Sequence, residues 1–197
     1  MKVLFINCCV RGEASRTLRL CRAALEQIVE KMENVTIDEL VLDDEDILPL
    51  NSARLARRHE LEEKGEFSDP IFRYACQFAE ADLVVVGAPY WEYQFPALLR
   101  CYLEQISVCG LTFDYTEDGR PRGRCKADRL FYITTSGGPI LHRNCGYDYI
   151  RTLCCDMLGF QEVDWAAAEC LDVWGIDVEE TLMQAEDALC AKIRKWK

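Results

Sequence analysis

Leu83-Val84-Val85-Val86-Gly87-Ala88-Pro89-Tyr90-Trp91-Glu92-Tyr93-Gln94-Phe95-Pro96 decides how the chain is to be read. Four aliphatic residues in a row make a strand. The loop after them crowds Tyr90, Trp91 and Tyr93 together, and an amphipathic helix follows. A loop at the end of such a strand normally meets water and carries small polar residues. Exposed aromatic rings cost solubility, so their presence implies a flat apolar partner stacked against them. In open α/β sheets ligands bind just beyond the carboxyl ends of the strands. The segment therefore predicts a planar ligand at the end of the third strand.

Outward from this segment, strand and helix alternate along the whole chain. Val3 to Asn7 reads as the first strand. A helix starting near Ser15 carries Leu18, Cys21, Leu25, Ile28 and Met32 at helical spacing. The second strand, 35–42, alternates polar and apolar residues, which predicts an edge position. No strand pattern occurs between 43 and 81. This enlarged crossover holds a charged helix around Ala53 to Lys64 and another opened by Asp69-Pro70, where Asp can cap and Pro suits the first position. After the third strand, 82–87, come a helix over 96–108 and a small hairpin excursion from Leu111-Thr112-Phe113-Asp114-Tyr115, turning at Asp118-Gly119 and Pro121. The fourth strand is Leu130 to Thr135, and the next helix runs over 147–158 to a left-handed Gly159. The fifth strand is Val163 to Ala168. The last helix starts at Val178 behind an Asp177/Glu180 capping pair and buries Leu182, Ala185, Leu189, Ile193 and Trp196. Five strands with helical crossovers predict a single α/β domain over 1–197, built on a doubly wound five-stranded parallel sheet.

Composition narrows the function. Half of the 197 residues are apolar, and no stretch approaches the roughly 20 apolar residues of a membrane span. The chain enters its first strand after one lysine, leaving no room for a signal peptide. The net charge of -11 argues against nucleic acid, and the short basic clusters 54–58 and 192–197 read as solvated helix faces. Twelve cysteines without a Cys-x-x-Cys pair, and only two histidines, His59 and His142, argue against zinc. These cysteines read as reduced thiols in a cytoplasm, most of them packed as small hydrophobes.

In the strand order 2-1-3-4-5, the loops after strands one, three and four lie side by side. Loop one, Cys8-Cys9-Val10-Arg11-Gly12-Glu13-Ala14-Ser15-Arg16-Thr17, leaves a strand and enters a helix behind a hydroxyl residue. Free N–H groups, the helix dipole, hydroxyls and two arginines suit an anion. Ordinary capping by Ser15 with solvated arginines fits the same residues. The loop lacks both the dinucleotide and the P-loop glycine patterns. Loop four, Thr134-Thr135-Ser136-Gly137-Gly138-Pro139, lets a ligand come close to the backbone. A phosphate well, an aromatic shelf and a glycine wall together suit FMN. The redox chemistry then belongs to the flavin, and backbone N–H groups near N1, C2=O and N5 would stabilise its reduced anion without an acid–base side chain.

These residues resemble the flavodoxin-like NAD(P)H-dependent oxidoreductases, and among them the FMN-dependent NADH-azoreductase and quinone reductase family. The resemblance covers most of the chain. It rests on Ser15-Arg16-Thr17, on Ala88-Pro89-Tyr90-Trp91-Glu92-Tyr93, on the specific run Gly110-Leu111-Thr112-Phe113-Asp114-Tyr115-Thr116-Glu117-Asp118-Gly119, and on Thr134-Thr135-Ser136-Gly137-Gly138. It implies FMN phosphate contacts from Cys9, Ser15, Arg16 and Thr17. Ring contacts are implied from Pro89, Tyr90, Trp91, Glu92 and Tyr93, and from Thr135, Ser136, Gly137 and Gly138. It also implies a homodimer with sites at the subunit interface, and ping-pong turnover between NADH or NADPH and a small planar acceptor such as a quinone or azo compound. The chain departs from the azoreductase pattern at Glu92, where asparagine is usual, and at Cys9, where serine is usual. A thiol beside a helix N-terminus can have a lowered pKa, so the Cys8/Cys9 pair is a candidate for redox chemistry as well as for packing. Two other readings share the fold: a flavodoxin-type electron carrier, and a flavin-free partner-binding module.

Overall fold

The computed structural model describes residues 1–196. In chain order it forms β1 (Lys2–Asn7), α1 (Arg16–Lys31), β2 (Thr36–Val41), α2 (Ser52–Lys64), α3 (Arg73–Glu80) and β3 (Leu83–Gly87). There follow α4 (Ala97–Ile106), β4 (Phe113–Tyr115), β5 (Pro121–Gly123) and β6 (Arg129–Thr135). The chain closes with α5 (Cys145–Thr152), β7 (Glu162–Ala168) and α6 (Val178–Arg194). Five strands make one parallel sheet in the order β2-β1-β3-β6-β7, while β4 and β5 form a separate antiparallel hairpin. Counting only sheet strands, this is the expected 2-1-3-4-5 order. The order in which strands are added reverses between β1 and β3, which places the carboxyl ends of β1, β3 and β6 next to one another.

Period-two alternation divides the strands between two cores. Leu4, Ile6, Val84 and Val86 face the layer that contains Tyr74, Phe78, Leu99 and Tyr102 of α3 and α4. Val3, Phe5, Leu83 and Val85 face Leu18, Cys21, Leu25 and Ile28 of α1 and Leu182, Leu189 and Ile193 of α6. Each such aliphatic side chain contributes about 1.5–3 kcal/mol by leaving water. The edge strand β2 buries only Leu40, as its alternation predicts.

Three expectations are corrected. Asp69-Pro70 does not open an α-helix directly: Asp69 accepts the Ile71 N–H and starts a 3₁₀ turn over Pro70–Phe72, from which α3 continues. The helix expected over 147–158 begins at Cys145 and widens into a π-helical stretch, Leu153–Leu158, before Gly159 ends it at φ 91°. Gly123 of the hairpin presses against this end, which periodicity within the helix could not signal.

The third correction concerns Arg58, which belongs to no solvated face. It is buried, pairs with Glu62 at 2.8 Å and donates to the carbonyls of Glu104 (3.0 Å) and Ser107. Helix ends leave carbonyls unpaired, and this guanidinium satisfies two of them at the end of α4 while fastening the crossover helix α2. Arg57, one residue earlier, is exposed and pairs with Glu60 and Asp69. In the C-terminal cluster Lys192 donates to the Trp165 carbonyl at 2.7 Å, and Lys197 lies outside the described residues.

Candidate functional site

Loop one turns back immediately after β1. The Asn7 side chain accepts the Cys9 N–H at 3.0 Å and donates to Glu39 at 2.9 Å. A 3₁₀ turn, Gly12–Ala14, with Gly12 at φ 53°, delivers Ser15 as the N-cap of α1, its hydroxyl accepting the Leu18 N–H at 3.2 Å. The N–H groups of Arg16 and Thr17 have no acceptor among the described residues. They stand at the positive end of a 16-residue helix, where an anion is stabilised by typically 0.3–1 kcal/mol or more. The Thr17 hydroxyl is buried and shares a 2.6 Å hydrogen bond with the Thr135 hydroxyl, which ties loop one to loop four.

The aromatic loop is a strained turn. Trp91 and Gln94 exchange backbone hydrogen bonds (3.0 and 2.8 Å), leaving Glu92 at φ 52° and Tyr93 at φ 70° between them. Left-handed non-glycine residues cost about 1–3 kcal/mol each and persist where the surroundings over-determine them. Three contacts do so here. The Tyr90 N–H donates to the Thr135 carbonyl at 3.0 Å, the Tyr90 hydroxyl donates to the Arg143 carbonyl at 2.6 Å, and the Arg143 guanidinium stacks over Tyr93 at 5.2 Å. Trp91 (46% exposed) and Tyr93 (52%) remain open to solvent, and the N–H groups of Glu92 and Tyr93 have no acceptor among the described residues. Glu92 itself is exposed.

Loop four passes under the loop after β7. The Ser136 hydroxyl donates to the Gly138 carbonyl at 2.6 Å, and Leu171 and Asp172 donate their N–H groups to the carbonyls of Ser136 and Gly137 (3.1 and 3.0 Å). A Cβ on Gly137 would lie 2.4 Å from an Asp172 carboxylate oxygen, so a larger residue there would require the Asp172 side chain to move. The same carboxylate pairs with Arg16 at 2.8 Å, while Arg16 also donates to the Leu171 carbonyl at 2.9 Å.

The three loops enclose one cavity of about 170 Å³. Cys9, Ser15 and Arg16 form its loop-one wall, Pro89, Tyr90 and Trp91 a second, and Thr135, Ser136 and Gly137 a third. Thr17 and Gly138 support this wall without lining it, and Glu92 and Tyr93 form the tip of the turn outside it. Val10, Arg11 and Asp172 complete the lining. Asp172 follows β7 in a loop that the sequence pattern does not single out, although Trp174 and Gly175 stand just beyond it. Its ion pair with Arg16 joins positions 156 residues apart, which sequence spacing cannot signal.

Cys8 and Cys9 differ sharply. Burial pushes the Cys8 thiol up to about 12, whereas hydrogen bonds from Cys21 and Ser15 hold Cys9 below its ordinary value against the opposing effect of burial.

A family model described as a flavodoxin-like fold matches residues 1–193. The chain belongs to this flavodoxin-like family. Among relatives of this flavodoxin-like chain, the FMN-dependent NADH:quinone oxidoreductase 2 of Clostridium acetobutylicum is 36% identical over 188 residues, 92% of each chain. The azoreductase of Bacillus anthracis str. Sterne superposes with a TM-score of 0.85 at 24% identity, covering 100% of both chains. An FMN-dependent NADH-azoreductase from B. anthracis str. Ames Ancestor, solved in complex with FMN, gives 0.82 at 23% identity over 98% of this chain and 97% of its own. At these identities the likeness to the solved structures is one of fold.

Proposed function

We propose that this chain is an FMN-dependent NADH oxidoreductase acting on planar acceptors of the quinone or azo type, with both half-reactions of a ping-pong cycle using one pocket. The observation that carries this reading is the set of N–H groups without an acceptor among the described residues: Arg16 and Thr17 at the helix N-terminus that walls the cavity, and Glu92 and Tyr93 at the strained turn just outside it. The donor set fits the cofactor. The first pair, with the Ser15 hydroxyl and Arg16, suits a phosphate; the second suits the carbonyl and nitrogen edge of a flat heterocycle. The names of the relatives support the same cofactor and favour NADH over NADPH. FMN, when bound, would supply the electron transfer between NADH and acceptor.

The chain's own residues bind and orient. Gly137 keeps the wall low enough for close approach, Tyr90 locks the aromatic turn onto loop four, and Trp91 and Tyr93 offer rings on which planar acceptors can stack. No acid–base side chain is required. Leu141, Val173, Trp174 (98% exposed) and Ile176 are exposed apolar side chains, and they support a homodimer. Twelve unpaired thiols support a reducing cytoplasm, and no helix among the described residues is long and apolar enough to cross a membrane.

Addition of FMN to the purified chain should give a bound yellow cofactor that NADH bleaches rapidly and a quinone restores, in a species eluting at twice the monomer mass. Bound flavin that NADH fails to bleach would make the protein a carrier instead. A chain that binds no FMN would refute the cofactor assignment.

Asp172→Asn should tighten FMN binding roughly twofold to fivefold, because the carboxylate both occupies Arg16 and repels a phosphate, and a partly exposed ion pair is worth about 0.2–1 kcal/mol. Quenching of flavin fluorescence measures it. Weaker binding in the variant would mean that Asp172 positions Arg16 rather than competing for it.

A further inference from the structure

Cys8 and Cys9 are neighbours in sequence but not in space. Successive side chains leave a strand on opposite faces, so Cys8 packs with Leu99 and Tyr102 on one side of the sheet and Cys9 with Leu18 and Cys21 on the other. The thiol partner of Cys9 is therefore Cys21, on the inward face of α1. Both sulfurs converge on Gly87. A Cβ built there would lie 2.4 Å from the Cys21 sulfur and 3.5 Å from the Cys9 sulfur, and the Cys9 thiol donates to the Gly87 carbonyl at 3.6 Å. The missing side chain of Gly87 is what allows two sulfurs into one space between β1, β3 and α1.

Access differs between them. Cys9 is 6% exposed and is one of the residues that line the cavity. Cys21 is fully buried and can be reached only by Cys9. The Cys21 thiol also stabilises a thiolate on Cys9, as does the Ser15 hydroxyl at the helix N-terminus. An activated sulfur on a cavity-lining residue, backed by a second, fully buried one, is the arrangement of a redox-sensing pair.

We propose that Cys9 is a site of reversible oxidation by peroxide and that Cys21 is its resolving thiol. The Cys9 thiolate attacks one peroxide oxygen, the O–O bond breaks, hydroxide departs, and Cys9 becomes a sulfenic acid. The Cys21 thiol then attacks the Cys9 sulfur; the S–O bond breaks, the S–S bond forms, and the Cys21 proton leaves with the hydroxyl as water. Two thiols have lost two electrons to one peroxide. A small dithiol returns them by exchange. The disulfide would join the start of loop one to α1 directly beneath the proposed phosphate well. The oxidation itself does not depend on the cofactor assignment, since it proceeds in the cofactor-free chain.

Peptide-resolved mass spectrometry of the purified full chain, after a stoichiometric dose of hydrogen peroxide, tests this. The peptides carrying Cys9 and Cys21 should become cross-linked with a loss of about 2 Da, restored by dithiothreitol. Cys21→Ser should accumulate a dimedone-reactive sulfenic acid on Cys9, and Cys9→Ser should leave Cys21 reduced. If either variant fails to fold, the wild-type cross-link map alone decides. Cys9 still reduced after the exposed Cys109 and Cys145 are fully oxidised would overturn the proposal. A disulfide from Cys9 to Cys8, or to any cysteine other than Cys21, would overturn it as well.

Discussion

Gly123→Ala should lower the melting temperature by about 2–12 °C or leave the chain insoluble. A Cβ at this position would lie 2.2 Å from the Gly159 nitrogen and 2.2 Å from the Leu158 carbonyl carbon, both backbone atoms. Side chains can rotate away from an intruding methyl group; backbone at the end of a helix cannot. Gly159 offers no relief, because it is held at φ 91° and its own missing Cβ would come within 3.0 Å of the Gly123 Cα. Two bare backbones thus cross where β5 rests on the π-helical stretch. Overpacking costs typically 1–3 kcal/mol, and each kcal/mol is worth about 2–4 °C at this chain length. Gly119→Ala is the matched control: it also has positive φ (78°), but nothing lies within 4 Å of its Cβ, so it carries backbone strain alone. A melting temperature for Gly123→Ala no lower than that of Gly119→Ala would refute the crossing as the cause.

Arg58→Ala should cost about 3–5 kcal/mol, read as a shift of the urea midpoint, because it breaks a buried pair and leaves Glu62 without its partner. The Glu104 and Ser107 carbonyls lose their donor at the same time. Arg57→Ala provides the comparison, since its side chain is 51% exposed and its two ion pairs are worth little. Equal costs for the two variants would show that Arg58 does not fasten the crossover.

Much of this architecture was legible because local chemistry and global topology agree. The aliphatic run 83–86, the cap at Ser15, the left-handed Gly159 and the turn at Asp118-Gly119 each mark an element boundary by a local rule, and the sheet order follows from the crossovers. The three loops converge as expected, since strand ends in such a sheet have few places to go. What stayed hidden depends on contacts between distant parts of the chain. Arg58 looks like any basic residue on a charged helix until α4 presents two carbonyls to it. Asp172 sits in an unremarkable acidic stretch until Gly137 lets it through. The pairing of Cys9 with Cys21 rather than Cys8 requires knowing which way each side chain leaves the end of β1.

The turn at Glu92 and Tyr93 sets a limit of another kind, on which residues inheritance or engineering can place there. At φ 52° and 70° the backbone is in a region that β-branched side chains enter only at high cost and that glycine, asparagine and aspartate tolerate best. Handedness therefore filters the substitutions at these two positions before any question of acceptor chemistry arises. Valine, isoleucine and threonine are barred on conformational grounds, while changes of charge or ring size pass. Trp91, with an ordinary backbone next door, faces no such filter. Residue 91 can thus vary far more freely than the tip beside it.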